Sequence, residues 1–344
     1  MQTKAIVLVK HGNASEAFQE RLITLPELND NAVRIEVEAF GLNYADVLAR
    51  NGMYKEAPPM PCVVGYEVVG KICAVGKSVD QSFLHKRVLA FCRFGGYAKH
   101  VNTLDTAIVC IEEHEDAAHL LALCTQAVTA YYMTDYLAPI HKGDHILIHA
   151  AAGGVGSFLI QLAKRKGAIV YAKIGDDSKI ELVKSLGADF VINYKKTAYE
   201  EKLKSLLNTD RLAASYNAVA GSTFKKDVAL LGSGGKLFLF GGAEIIGTRF
   251  GIFSTLNFLR KMGFILPIGL MMRSKSILGV NMLKIADNRP DSLTECLAAV
   301  IDLYRKNELK THVGGRFSVK EIAQAHTLLQ AGKTTGKLSV FWED

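Results

Sequence analysis

The twenty residues HILIHAAAGGVGSFLIQLAK (145–164) constrain this chain more than any others. An apolar strand enters AAAGGVG (150–156) and a helix leaves it. Ala151-x-Gly153-x-x-Gly156 fits the dinucleotide-binding fingerprint, with alanine in the first glycine slot. Gly153 would let a pyrophosphate approach the backbone, and Gly156 would let the helix lie close to the sheet. The helix start, around Gly154 and Val155, offers free N–H groups and a partial positive charge to phosphates. The competing reading is a tight turn that binds nothing.

Strands and helices alternate after this turn. AIVYAKI (168–174), DFVINY (189–194), KLFLFG (236–241) and SILGVNML (276–283) read as strands. SKIELVKSLG (178–187, ended by Gly187) and AYEEKLKSLL (198–207) read as helices. That order implies right-handed crossovers and a parallel sheet. Upstream, AVRIEVEAFGL (32–42) alternates Val33, Ile35 and Val37 against Arg34, Glu36 and Glu38, a half-buried strand. VVGYEVVGKICAVG (63–76), RVLAF (87–91) and GGYAKHVN (95–102) continue the pattern, which predicts a compact, barrel-like β domain. A helix is expected at 121–137 and another at 291–307. The segment 316–342 reads as a helix and a last strand, which is expected to return to the β domain. The expected division is therefore 1–123, 124–280 and 281–344, the last part rejoining the first.

Composition excludes several classes. At 344 residues, 49% hydrophobic and 22% charged, the chain can bury a large core and is not broadly disordered. A net charge of +7 without a long Lys/Arg block suits anionic small molecules and predicts no nucleic-acid partner. Six cysteines, none in CxxC spacing, read as reduced and mostly buried thiols. There is neither a signal-peptide pattern nor an uninterrupted apolar run of about 18 residues. The expectation is a soluble, cytoplasmic protein.

Cofactor choice should be written about 20 residues past the glycine turn, where an acidic residue normally grips the ribose 2′-hydroxyl. Ile174 and Gly175 stand there instead. Ser178 and Lys179 are placed to hold a 2′-phosphate, with Tyr194 at the end of the third strand on the same side. These residues favour NADPH over NADH. Asp176 and Asp177 argue the other way, and 176–179 is also explained as a helix cap.

VGYEVVGKICAVG, GGYAKHV, GD-ILIHAAAGGVG and IQLAKRKGA together resemble the medium-chain dehydrogenase/reductase superfamily over essentially the whole chain. GLNYADVLARNGMY (41–54) is similar to the zinc-free quinone oxidoreductases within it, and the apolar insert at 243–272 resembles the vesicle amine transport protein subgroup. The resemblance implies an α/β fold of two parts. One is a GroES-like β-barrel catalytic domain. The other is a Rossmann domain, a doubly wound parallel sheet for the cofactor. It also implies a cleft between them and a homodimer. Zinc-dependent members need a Cys and a His where Asn43 and Tyr66 stand here, so no metal is expected. His114 and His119 are one residue too far apart for HExxH, and His141, His145 and His149 read as turn and strand residues.

Without a Lewis acid, reduction favours acceptors that delocalise charge, such as quinones and enones, for which a hydroxyl or amide donor can suffice. The candidate donors are Asn43 and Tyr54, with a turn-stabilising amide and a packed aromatic as their structural alternatives. Asp46 and Arg50, four apart, are expected to pair and hold the loop. Tyr66 is expected to fill the vacated metal cavity. Thr129 resembles a cofactor contact of the family, and Gly241 and Gly242 would admit the nicotinamide ribose. The insert at 243–272 reads as an apolar lid, a dimer or membrane-surface patch, or a buried helix pair. Two functions follow: an NADPH-dependent reductase of apolar quinones or enones, or a non-catalytic NADPH-binding protein that uses the insert to bind lipid, membrane or a partner.

Overall fold

The structure, a computed structural model, describes residues 1–244 and 251–343. The chain divides into two compact units, Met1–Val128 with Leu283–Asp344, and Thr129–Met282.

The first unit begins with strands β1 (Gln2–Leu8) and β2 (Phe18–Thr24), which form an antiparallel hairpin. β3 (Ala32–Leu42), β4 (Glu67–Val75), β5 (Arg87–Phe91), β6 (His100–Leu104) and β7 (Ile108–Cys110) follow. Along β3 the expected alternation is visible: Val33, Ile35 and Val37 are buried while Glu36 and Glu38 are exposed. The strand expected at 63–76 begins only at Glu67, and the one expected at 95–102 begins at His100. In both cases the preceding residues turn instead: Gly65 and Gly95 take positive φ, which strands do not.

The second unit holds β8 (His145–Ile148), β9 (Ile169–Ile174), β10 (Phe190–Asn193), β11 (Leu212–Asn217), β12 (Leu231–Leu239) and β13 (Ser276–Gly279). They form one parallel sheet in the order β10-β9-β8-β11-β12-β13. The order reverses beside β8, the first strand, and that switch point is where open α/β sheets place ligands. β11 lacked a turn-bounded apolar run, and so escaped the sequence pattern: it reads LAASYN, with four of its six residues small or polar.

The chain then returns to the first unit with β14 (Val313–Ser318) and β15 (Lys337–Phe341). β15 pairs antiparallel with β3, completing a seven-stranded sheet. Its core gathers Val33, Ile35, Phe40, Val68, Ile72, Val88, Leu338 and Val340, all buried.

The expected insert falls partly outside the described residues, at 245–250. Beyond that gap it forms helices Gly251–Met262 and Pro267–Met272. The reading of a buried helix pair fails here. Leu256, Leu259, Leu266, Ile268, Met271 and Met272 are all more than half exposed. Among the described residues no helix is long and apolar enough to cross a membrane.

Candidate functional site

In the second unit, the turn after β8 is built by backbone geometry. Gly153 is the N-cap of helix Gly154–Arg165, in extended conformation, and no side chain caps that end. The first helical bond runs from the Ser157 N–H to the Gly153 carbonyl, at 2.9 Å. The N–H groups of Gly154, Val155 and Gly156 are thus left without an intrahelical partner, on partly exposed backbone at Gly154 and Val155, while the Gly153 N–H donates to the Ala150 carbonyl at 2.8 Å. Gly156 is buried, and a Cβ there would meet the Ala151 Cα at 2.7 Å. Helix and turn come close because residue 156 has no side chain. A Cβ at Gly153 would meet only the Ala150 carbonyl oxygen, at 3.1 Å. The cradle fits a pyrophosphate.

Because all six strands are parallel, the segments after β8, β9, β10 and β12 lie along one edge of the sheet. This edge brings together the glycine turn, Gly175, Ser178, Lys179, Tyr194, Gly241 and Gly242. Tyr194 is half exposed, and its hydroxyl oxygen lies where a Gly175 Cβ would meet it at 2.8 Å. Asp176 spends Oδ1 on the Ser178 N–H, at 3.0 Å. Asp177 is engaged by the Lys196 ammonium and the Asn193 amide. Both carboxylates are held by local donors, which weakens their case against a 2′-phosphate. Burial lowers the Lys179 pKa. Gly241 has a structural reason to be glycine, since a Cβ would meet the Ala218 carbonyl oxygen at 2.6 Å. Gly242 has room, with Phe258 the nearest side chain at 3.9 Å from a Cβ. Thr129 is buried at the start of this unit.

A network that the sequence reading missed lies behind this edge. His149 Nε2 is 2.8 Å from Asp227 Oδ2, and both side chains are fully buried. Asp227 also accepts from Tyr199, Ser215 and Asn217 at 2.6–2.8 Å. Burial alone would raise the Asp227 carboxyl; His149, Ser215 and Tyr199 outweigh it, and its pKa lies below the ordinary value. Lys173 Nζ is 3.2 Å from His149 Nδ1. The signal was a lone lysine inside the apolar strand IVYAKI.

In the first unit, Asn43 precedes helix Tyr44–Arg50. Its Nδ2 donates to Glu67 Oε1 at 2.8 Å, and its Oδ1 accepts from Lys337 Nζ at 3.1 Å. Lys337 also pairs with Glu67, and both are fully buried. Glu67 Oε2 accepts from the Thr125 N–H at 2.6 Å. Asn43 thus belongs to an ion network that ties β4 to β15. The expected Asp46–Arg50 pair does not form. Asp46 turns back to accept from the Asn43 N–H at 2.8 Å, capping its own helix, while Arg50 reaches Gln330. Burial pushes the Asp46 carboxyl up to about 7.

Tyr54 is half-buried and edge-on to Tyr66, with ring centroids 6.3 Å apart. Burial, with help from Glu56, pushes its hydroxyl up to about 12, so it remains a proton donor at neutral pH. Tyr66 packs against Phe94 and, edge-on, against Tyr54.

The profile of the alcohol dehydrogenase GroES-like domain matches residues 29–142, and that of the zinc-binding dehydrogenases matches 154–299. The chain belongs to the medium-chain dehydrogenase/reductase superfamily. Superfamily relatives similar to it include a zebrafish (Danio rerio) synaptic vesicle membrane protein VAT-1 homolog, 26% identical over 97% of this chain and 69% of its own length. Human quinone oxidoreductase is 26% identical over 92% of this chain and 91% of its own. A mycobacterial protein solved in complex with NADPH superposes with a TM-score of 0.84, at 25% identity, covering 98% of this chain and 99% of its own.

The zinc-binding profile raises the question of a metal, and the residues do not fit one. The Lys337 ammonium stands against Asn43 and Glu67, where it would repel a cation. Among the described residues no three His, Cys, Asp or Glu side chains are placed to hold an ion.

Proposed function

We propose that this chain is an NADPH-dependent, zinc-independent reductase of quinones or α,β-unsaturated carbonyl compounds. The observation that carries the reading is the uncapped helix start at Gly153, on the switch-point edge of a parallel sheet. The quinone oxidoreductase relative and the NADPH-bound mycobacterial structure support it. Gly154, Val155 and Gly156 hold the pyrophosphate through backbone N–H groups, and Gly153, whose own N–H is donated to Ala150, leaves it room. Ser178, Lys179 and Tyr194 receive the 2′-phosphate, and Thr129, Gly241 and Gly242 serve the nicotinamide end. The cofactor supplies a hydride.

Tyr54 is the donor to the acceptor oxygen: its half-buried phenol O–H is protonated at neutral pH and can hydrogen-bond that oxygen as charge develops there. Asn43 is the weaker of the two candidates, since both ends of its amide are already engaged. A donor of this strength suits a substrate that spreads its negative charge over a conjugated system. The protein acts as a cytoplasmic homodimer in this reading, and among the described residues β13 is an edge strand of the parallel sheet.

The test is NADPH oxidation across a panel of quinones, enones and aldehydes. Turnover of quinones or enones, unchanged after dialysis against a chelator, is the expected result. NADPH binding without turnover of any acceptor would favour the non-catalytic alternative. Activity lost to the chelator and restored by zinc would overturn zinc independence.

A further inference from the structure

Lys173 is the fifth of the six residues of β9, two residues before Gly175. Only 5% of it is exposed, in a strand that is otherwise Ile, Val, Tyr and Ala. A buried ammonium is costly unless it is partnered, and this one is held on several sides. His149 Nδ1 lies 3.2 Å from Nζ. The Tyr199 ring centroid is 4.0 Å away and that of Tyr194 4.9 Å. Behind His149 stands Asp227, 2.8 Å from Nε2. With the ammonium donating to Nδ1, the imidazole keeps its proton on Nε2, the nitrogen 2.8 Å from the carboxylate oxygen. The chain Asp227–His149–Lys173–Tyr194 runs from a buried anion to a half-exposed ring beside Gly175.

We propose that Lys173 is a positioning and specificity residue for the cofactor: its ammonium, held from behind by His149, fixes the Tyr194 ring beside Gly175 and puts a buried positive charge next to the 2′-phosphate. This rests on the reading of the Gly175–Lys179 edge as the 2′-phosphate site. A cation attracts the face of an aromatic ring, more strongly when water is excluded. The same charge, screened from water by Tyr194 and Tyr199, acts on a phosphate through a low dielectric. An NADH molecule lacks the phosphate and would feel only the ring's position.

The charge is also conditional on pH. Burial brings the Lys173 pKa down to about 8. The carboxylates of Asp227, Glu200 and Glu244 oppose that fall, and Lys226 adds to it. His149 is itself held below its ordinary pKa by burial, so it stays neutral as Lys173 titrates. The ammonium is present below about pH 8 and lost above it. A nucleotide phosphate, with its second pKa near 6, is already a dianion across this range.

The experiment measures dissociation constants of NADPH and NADH, from pH 6.5 to 9.5, for the wild type and Lys173→Met. Methionine keeps an unbranched stem and removes the charge. NADPH binding by the wild type is expected to weaken as pH rises through about 8, while NADH binding stays flat. Lys173→Met is expected to bind NADPH about tenfold more weakly at pH 7, bind NADH as before, and lose the step near pH 8. A step that survives in the variant would belong to another group, such as Lys179, and would overturn the proposal. So would an unchanged NADPH-to-NADH ratio.

Gly153→Val separates this failure from that of the underlying reading. If it leaves both cofactors bound normally, the phosphate site itself is misplaced. If it abolishes binding while Lys173→Met matches the wild type, the Lys173 proposal alone falls. Should Lys173→Met not fold, Lys173→Gln replaces it, because its amide can still donate to His149 Nδ1 without carrying a charge. Loss of the NADPH preference and of the step near pH 8 in that variant supports the proposal, and retention of both overturns it.

Discussion

Gly153 and Gly156 serve one turn for different reasons. A Cβ at Gly156 would press on the backbone of Ala150 and Ala151, whereas one at Gly153 has only the Ala150 carbonyl oxygen near it, at 3.1 Å. Gly153→Val is therefore expected to leave circular dichroism and melting temperature near the wild type while NADPH binding is lost. Gly156→Val is expected to destabilise the fold itself, by about 1–3 kcal/mol as an overpacked contact, which denaturant unfolding would detect. Asp46 offers a second residue-scale test. Its folded pKa, about 7, lies above its unfolded value of about 3.9. Its contribution to stability is therefore fully present below about pH 4 and is lost as pH rises through about 7. Asp46→Asn keeps an acceptor for the Asn43 N–H and removes that loss. Its melting temperature should gain on the wild type between about pH 4 and 7 and hold a constant lead above that. A parallel fall in both proteins would contradict the shift.

At the scale of the element, the helix Gly251–Met262 separates two neighbours that look alike in sequence. Phe258 lies beside Gly242 and Gly221, whereas Leu259 is more than half exposed. Packing next to Gly242 places Phe258 by the proposed nicotinamide end. Phe258→Ser is expected to raise the KM for a bulky quinone several-fold through lost apolar contact. Leu259→Ser is expected to leave steady-state kinetics unchanged. If Leu259→Ser instead weakens dimerisation or vesicle binding, as read by sedimentation, the exposed apolar residues of this element form an assembly surface.

Across the whole molecule, Lys337 closes the first unit. It lies 270 residues from Glu67 in the chain, yet the two form a fully buried pair. Removing one partner strands the other charge in the core, at a cost of about 3–5 kcal/mol. Lys337→Met should therefore lower stability by that order in urea unfolding. The double change with Glu67→Gln should recover part of the loss, since no charge is then left unpaired. Equal losses in the single and double variants would show that the pair does not act as a unit.

What could be read from the sequence was local and periodic. The glycine turn, the strand–helix alternation after it and the in–out pattern of Val33 to Glu38 each follow from neighbours a few residues apart, because helix and strand periods are short. Those signals were enough for the α/β class and the parallel sheet. Contacts between distant residues left no such mark. Asp46 and Arg50 have ideal helical spacing, yet they turn to opposite ends of their helix because the Asn43 N–H and Gln330 are better placed. The apolar residues of 256–272 look alike in sequence, and only the fold shows Leu256, Leu259, Leu266 and Ile268 facing outward while Phe258 packs beside Gly242. The networks of Asn43, Glu67 and Lys337, and of His149, Lys173 and Asp227, were decided by tertiary structure alone. A buried charge is tolerable only where the fold delivers its partners, and those partners come from strands and helices far apart in the chain.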